Sequence, residues 1–342
     1  MAAAETASLA EIRGILSDLP GPDRDSGAAV TAREAELTKP VGSLGRLEEL
    51  AAWLATWQGR YPPVVNRPRV AVFAGNHGVA EQGVSAFPQS VTRQMVQNFI
   101  DGGAAVNQLC ATFDADLRVY EMALEQPTAD FTQDAAMSDP ACANAMAYGM
   151  VAVEEGFDVM ALGEMGIANT TSASAICCAL FGGTPETWVG PGTGVDDAGL
   201  RRKADVVRRG LDRHAGELAD PFAVMRRLGG VELAAMTGAI IACRMARTPV
   251  ILDGFACTAA AAVLGAIDRS LLDHCVVAHG SAEPGHARLL EVLGKRPLLK
   301  LEMRLGEGSG AALAIPLLHG ACACHNGMAT FAEAGVSGPG GT

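Results

Sequence analysis

The chain has 342 residues, 49% hydrophobic and 19% charged, with 40 glycines; it is too apolar for disorder and long enough for one large domain or a main domain with a satellite. The net charge of −12 speaks against a nucleic-acid partner, which asks for a basic face. Mean hydropathy of +0.20 comes from alanine, and the most apolar windows, such as AAMTGAIIAC and ACTAAAAVLGAI, are too short to span a bilayer.

At the N-terminus, MAAAETASLAEIRGILSDLP carries Glu5 and Glu11 and no basic region, so it does not read as a signal peptide. Nine cysteines, an odd number without regular spacing, suggest reduced thiols rather than a disulfide framework. The expectation is a cytoplasmic protein.

In chain order, Leu9, Ile12, Leu16 and Leu19 recur at helical spacing, so the first twenty residues read as an amphipathic helix. TAREAELTKP reads as a second helical piece closed by Pro40. Six runs then read as strands: RVAVFA (69–74), DLRVYEMA (116–123), FDVMAL (157–162), PVIL (249–252), CVVAH (275–279) and LLKLEMRL (298–305). Most are short and continuously apolar, as expected of parallel strands buried on both faces. The last alternates, with Leu299, Leu301, Met303 and Leu305 against Lys300, Glu302 and Arg304, which suits an edge. Helical segments separate the runs, which gives an α/β class with an open, mostly parallel sheet. From about Leu317, LLHGACACHNGMATFAEAGV is helical again, and SGPGGT after it is expected to fray. There is no repeat at fixed period and no low-complexity linker.

Five of the six strands run into a glycine plus a carboxylate, hydroxyl, amide or imidazole: GNHGVAEQG, GEMGIANTTSAS, DGFACTAAA, GSAEPGH and GEGSGAA. Open parallel sheets bind ligands beyond the carboxyl ends of their strands, beside helix N-termini. A small-molecule site is expected there.

Each loop also has a plainer explanation. Asn169, Thr170 and Thr171 stand where a helix begins; capping accounts for one of them, and three together make a phosphate cradle. GPGTGVDDAGLRRKADVVRRGL is a glycine loop before a basic helix, equally a solvated charged face. Neither matches a P-loop or a dinucleotide fingerprint. His77 and His279 suit a metal or a general base, although strand-end histidines are more often hydrogen-bonded structural residues. His319, Cys322, Cys324 and His325 in HGACACH do not converge on one point of a helix, and no second cluster completes a tetrahedral zinc site. No metal and no cofactor is expected.

Together TKPVGSLGRLEELA, GNHGVAEQGVSAFPQSVT, GEMGIANTTSASAI, GPGTGVDD, DGFACTAAAA and MRLGEGSGAALAIP resemble, in order, the nicotinate-nucleotide–dimethylbenzimidazole phosphoribosyltransferases, from about Ala32 to Gly335. The resemblance implies a Rossmann-like α/β domain with a small helical domain built from both chain ends, here 1–40 and 313–342 around a catalytic 41–312, and a homodimer. It implies transfer of phosphoribose from nicotinate mononucleotide to 5,6-dimethylbenzimidazole.

By the same resemblance Glu307 is the catalytic base and Glu164 a second acid near the reacting centre. Asn169, Thr170, Gly192, Lys203 and Ser281 fall to the phosphate, and Asp253 and Gly254 to the ribose-phosphate end. Phe87, Met95, Met165, Leu305 and Gly306 fall to the base pocket. Lys203 is then the placed cation that an anionic substrate demands of an acidic protein. TKPVGSLGRLEELA has no evident chemical role, and packing between domains is its plainer reading. Two other readings stay open: a nucleotide-binding relative without turnover, and a metal-dependent hydrolase using His77, Asp253 and His279.

Overall fold

The computed structural model describes residues 7–154 and 156–338. The first six residues of the expected N-terminal helix and the last four of the expected frayed tail lie outside them.

The described residues form one six-stranded sheet in the order β2-β1-β3-β4-β5-β6, with every pairing parallel. The strands are β1 (Pro68–Ala74), β2 (Asp116–Glu121), β3 (Val159–Met165), β4 (Val250–Leu252), β5 (Cys275–His279) and β6 (Pro297–Leu299). Strand residues alternate between two cores. Ala71, Phe73, Met160, Leu162, Leu252 and Val277 pack on one face, and Val70, Val72, Ala74, Val159, Ala161 and Ile251 on the other. Burial on both faces is why these runs are continuously apolar.

The helices are α1 (Leu9–Ile15), α2 (Arg24–Glu34), α3 (Arg46–Gln58), α4 (Ser90–Ile100), α5 (Ala105–Thr112), α6 (Asp139–Val151), α7 (Asn169–Phe181), α8 (Asp197–Arg213), α9 (Pro221–Leu228), α10 (Val231–Met245), α11 (Phe255–Ile267), α12 (Pro284–Leu293), α13 (Ser309–Gly327) and α14 (Phe331–Ala334). Helices α6, α7, α10, α11 and α12 supply buried residues to the first core, and α3, α4, α5 and α13 to the second.

Several element boundaries depart from the sequence reading: among the described residues the first helix is Leu9–Ile15, β2 stops at Glu121, and the helix read from about Leu317 starts at Ser309 and breaks after Gly327. Strand β3 runs on to Met165 because β1 pairs it to the end, Phe73 opposite Glu164 and Ala74 opposite Met165. The alternating run at 298–305 is a strand only over 297–299; Glu302 adopts a left-handed φ of 56°, which an extended chain cannot accommodate. The piece read at TAREAELTKP is α2, which starts earlier and stops at Glu34, because Leu37 bridges to Thr330 instead of continuing the helix.

That bridge joins segments from opposite ends of the chain. Thr38 N donates to Ala329 O at 3.0 Å and Phe331 N to Glu36 O at 2.9 Å. The Arg33 guanidinium donates to the carbonyls of His325 and Met328. Buried Lys39 pairs with Glu34 and Glu48, each at 2.9 Å, and His325 Nδ1 meets the other oxygen of Glu34 at 2.7 Å. Lys39 and Glu48 belong to TKPVGSLGRLEELA, so this motif carries part of a buried ionic cluster. Helix α13 crosses the expected 312/313 boundary as one continuous helix that also packs on the sheet.

Between β1 and β3 the chain reverses its direction of travel across the sheet, with β2 on one side and β3 to β6 on the other. Such a switch point opens a crevice at the carboxyl ends of the strands. All nine cysteines are free, and no helix among the described residues is long and apolar enough to cross a membrane.

Candidate active site

A cleft of about 620 Å³ opens at that carboxyl edge. It is walled by the β3–α7 turn, the start of α4, the loop before α11, the segment after β5 and the 304–307 turn. Twelve of the fourteen expected site residues line it: Phe87, Met95, Glu164, Met165, Asn169, Thr170, Gly192, Gly254, Ser281, Leu305, Gly306 and Glu307. Lys203 and Asp253 stand behind the wall.

Glu307 sits in an unusual backbone turn. Gly306, Glu307 and Gly308 have φ of 80°, 64° and 78°, three left-handed residues in succession. Glycine adopts this freely, whereas the glutamate carries a cost of about 1–2 kcal/mol. The surroundings hold it there: Glu307 N donates to Glu164 O at 3.1 Å. Gly308 N donates to Asp253 Oδ2 at 3.1 Å, and Ala311 N to Oδ1 at 2.9 Å. Asp253, expected at the ribose-phosphate end, is fully buried and grips both the turn and the first residues of α13. Gly163 of β3 lies directly beneath; a Cβ there would fall 2.4 Å from Gly308 N.

Burial, and secondarily the charge of Asp253, push the Glu307 carboxyl up to about 7. The Glu164 carboxyl is raised well above its ordinary value, first by burial and then by the neighbouring Asp253, Glu232 and Glu307. Against this trend, the Asn169 side-chain amide donates to its Oε2.

The polar end is built around the start of α7. Lys203 Nζ, from α8, donates to Thr170 Oγ1 at 2.9 Å and to Gly190 O at 2.8 Å. Burial lowers this ammonium to about 8, with Glu283 acting in the opposite sense. Gly192 N donates to Glu283 Oε1 at 2.8 Å, and Arg304 donates to Gly192 O at 2.9 Å. Burial, reinforced by His279, pushes His286 down to about 3, so its imidazole is neutral. Ser281 N donates to its Nδ1, which leaves the proton on Nε2 for Thr258 Oγ1; the Thr258 hydroxyl then donates to Gly254 O. One chain of hydrogen bonds thus fixes two residues of the polar wall. The opposite lining is apolar: Phe87, Val91, Met95, Met165 and Leu305.

Ten lining residues were not among the expected site residues, with Val91, Thr193, Glu283 and Arg304 prominent among them; His279, read only as a metal or base candidate, also lines the cleft. Val91 was the legible one, lying one helical turn before Met95 in α4. Arg304 came from the run read as a strand. His279 stands 3.6 Å from Asp253, whereas His77 is fully buried against Glu232. Among the described residues no group of three His, Cys, Asp or Glu is arranged to hold a metal.

The geometry offers a carboxyl whose proton affinity burial raises, an apolar slot, and a polar end with the Thr170 and Ser281 side chains at its surface and the Lys203 ammonium behind them. A family model described as phosphoribosyltransferase matches residues 19–336. The chain is 58% identical over 328 residues to the nicotinate-nucleotide–dimethylbenzimidazole phosphoribosyltransferase of Rhizobium etli (strain CIAT 652), covering 96% of this chain and 97% of that one. It is 58% identical over 327 residues to the enzyme of that name from Sinorhizobium fredii, covering 96% of each. The solved structure of CobT from Thermus thermophilus superposes with a TM-score of 0.85 at 43% identity, covering 92% of this chain and all of that one. A chain with this sheet, this cleft and relatives this similar over nearly its whole length belongs to the family of nicotinate-nucleotide–dimethylbenzimidazole phosphoribosyltransferases.

Proposed function

We propose that the protein transfers phosphoribose from nicotinate mononucleotide to 5,6-dimethylbenzimidazole, releasing nicotinate and α-ribazole 5′-phosphate, a step of cobalamin nucleotide-loop assembly. The observation that carries this reading is one cleft lined by an anion cradle, by an apolar slot and by Glu307. The donor's nicotinate is already a pyridinium at its ring nitrogen, so it departs without a general acid. As one benzimidazole nitrogen bonds C1′ the ring turns cationic, and its other N–H must pass a proton to a base. Glu307 is that base, and its raised proton affinity suits an acceptor that works near pH 7. Attack opposite the leaving group converts the β-nucleotide to an α-product.

The phosphate rests on Thr170, Gly192, Ser281 and the α7 N-terminus, with Lys203 supplying charge from behind. Gly254 borders the ribose. Glu164, bonded to Asn169, ties this cradle to the strand beside Glu307. Phe87, Met95, Met165, Leu305 and Gly306 enclose the base. We assign the protein to the cytoplasm as a homodimer, with the two chain ends forming a small helical unit.

The test is addition of 5,6-dimethylbenzimidazole to enzyme and nicotinate mononucleotide, with nicotinate release followed by chromatography and the product anomer by NMR. Base-dependent release with an α-product is expected. Binding without release would leave only a nucleotide-binding relative, and a β-product would exclude direct displacement.

The pH dependence carries a second expectation. Glu307 acts ionised, so activity is lost as pH falls through about 7. Lys203 acts charged, so donor capture is lost as pH rises through about 8. The kcat/KM profile is therefore a narrow bell. Asp253→Asn removes one of the causes that raise Glu307 and should move the acid limb downward, while its amide, which cannot accept from both Gly308 N and Ala311 N, also lowers the height of the bell. An unmoved limb would separate it from Glu307; substrate titration is common to both enzymes and cancels.

A further inference from the structure

His77 follows β1 at the switch point of the sheet and does not line the cleft. Its side chain is fully buried, and so is that of Glu232. Nε2 lies 2.6 Å from Glu232 Oε1, in the first turn of α10, and Nδ1 lies 3.1 Å from Ser172 Oγ on α7. One edge of the ring is thus held by the carboxylate and the other by the Ser172 hydroxyl. Meanwhile the His77 carbonyl accepts from Gln89 Nε2 at 2.8 Å, at the head of α4.

These contacts reach both halves of the cleft. Ser172 stands one turn beyond Asn169 and Thr170, which present the phosphate cradle. Gln89 stands between Phe87 and the Val91–Met95 face, which presents the apolar slot. The fit around the imidazole is tight: a Cβ on Gly230 would meet His77 Cε1 at 2.2 Å, and one on Gly166, in the cleft floor, would meet Glu232 Oε1 at 3.2 Å.

We propose that His77 is a positioning residue, which holds the donor-binding helix α7 and the acceptor-binding helix α4 in one register so that C1′ meets the attacking nitrogen in line. The proposal rests on the assignment of the two ends of the cleft made above. Each half-site is complete without His77; what it sets is their relation. Thr92 Oγ1, accepting from Ile167 N at 3.2 Å, is a second tie between α4 and the turn before α7. Replacing the His77 side chain breaks the ties to Ser172 and Glu232 directly, while its backbone carbonyl still accepts from Gln89 but loses its anchor, so the register loosens without being severed.

The test separates affinity from alignment. In His77→Gln, calorimetric Kd values for nicotinate mononucleotide alone and 5,6-dimethylbenzimidazole alone should stay within about threefold of wild type. Turnover at saturation should fall roughly 10- to 100-fold, because small misplacements at the reacting centre are costly. Unchanged kcat, or a loss confined to the Kd of one ligand, overturns the proposal. Should that variant fail to fold, Ser172→Ala and Gln89→Leu each cut one arm. Because both arms set one register, their effects on kcat should be non-additive, the double variant losing little more than the worse single. Independent, multiplying losses would refute it. Wild-type enzyme that binds both ligands without transferring would instead refute the assigned reaction.

Discussion

Glu307→Gln is expected to lower turnover by roughly two orders of magnitude or more, while the Kd for nicotinate mononucleotide moves by no more than a few-fold. The amide preserves the size of the side chain and leaves every backbone bond of the 306–308 turn in place. What it removes is the atom that takes the benzimidazole proton. The same variant carries an opposite expectation for stability. In the unfolded chain this carboxyl ionises near its ordinary value, but in the folded protein only near 7. The folded state thus holds the proton more tightly, and stability falls as pH rises from about 4.5 to 7, with the full penalty above 7. At pH 8 the glutamine variant should melt about 1–3 °C above wild type, a difference that closes below pH 4.5. Turnover close to wild type would remove Glu307 from the mechanism. A lower melting temperature at pH 8 would contradict its raised proton affinity.

Gly163→Ala is expected to cost roughly 100-fold in kcat without touching a ligand. The added methyl would fall 2.4 Å from Gly308 N, 2.5 Å from Gly308 Cα and 2.8 Å from the Glu307 carbonyl carbon. All three are backbone atoms, so no side chain can swing aside. Either β3 or the Glu307 turn must shift by about 1 Å to reach ordinary contact, and β3 is held by partners on both edges. The turn gives way, and the base moves from its proton. Overpacking should also destabilise the fold by about 1–3 kcal/mol. Stopped-flow turnover with a melting curve checks both. Combined with Glu307→Gln, Gly163→Ala should add little further loss in kcat; a full multiplicative loss would place its effect elsewhere.

The strands were legible because a sheet buried on both faces imposes an apolar run that few other structures require. Their ends were not. Glu164 read as a loop residue after a strand ending at 162, yet it is paired opposite Phe73, and that pairing is decided about ninety residues upstream by where β1 ends. The reading of 298–305 failed for a related reason: alternation describes a pleated chain, and a single left-handed residue at Glu302 ends the pleat without altering the pattern. Within the site, the chemical types at the strand ends were readable, but their directions were not. A carboxylate after a strand looks the same in sequence whether it faces the cleft or turns inward. Asp253 turns inward because the N–H groups of Gly308 and Ala311 arrive there from 55 and 58 residues away. Lys203 sits behind the cradle because Thr170 and the Gly190 carbonyl claim its ammonium.

The meeting of the two chain ends bears on the order in which the protein can be made. Glu34 finds His325 across 291 residues, and Leu37 finds Thr330 across a similar span. At roughly 5–20 residues per second a ribosome needs about 15–60 s to cover that interval. Throughout it, α2 and α3 have emerged, while the helix that covers them has not been synthesised. Lys39 can already meet Glu34 and Glu48 locally, so the nascent segment holds its own charges in balance while it waits. Translation of α13 and of the Ala329–Phe331 segment after it then closes the contact with α2, and Glu307 stands just ahead of that helix.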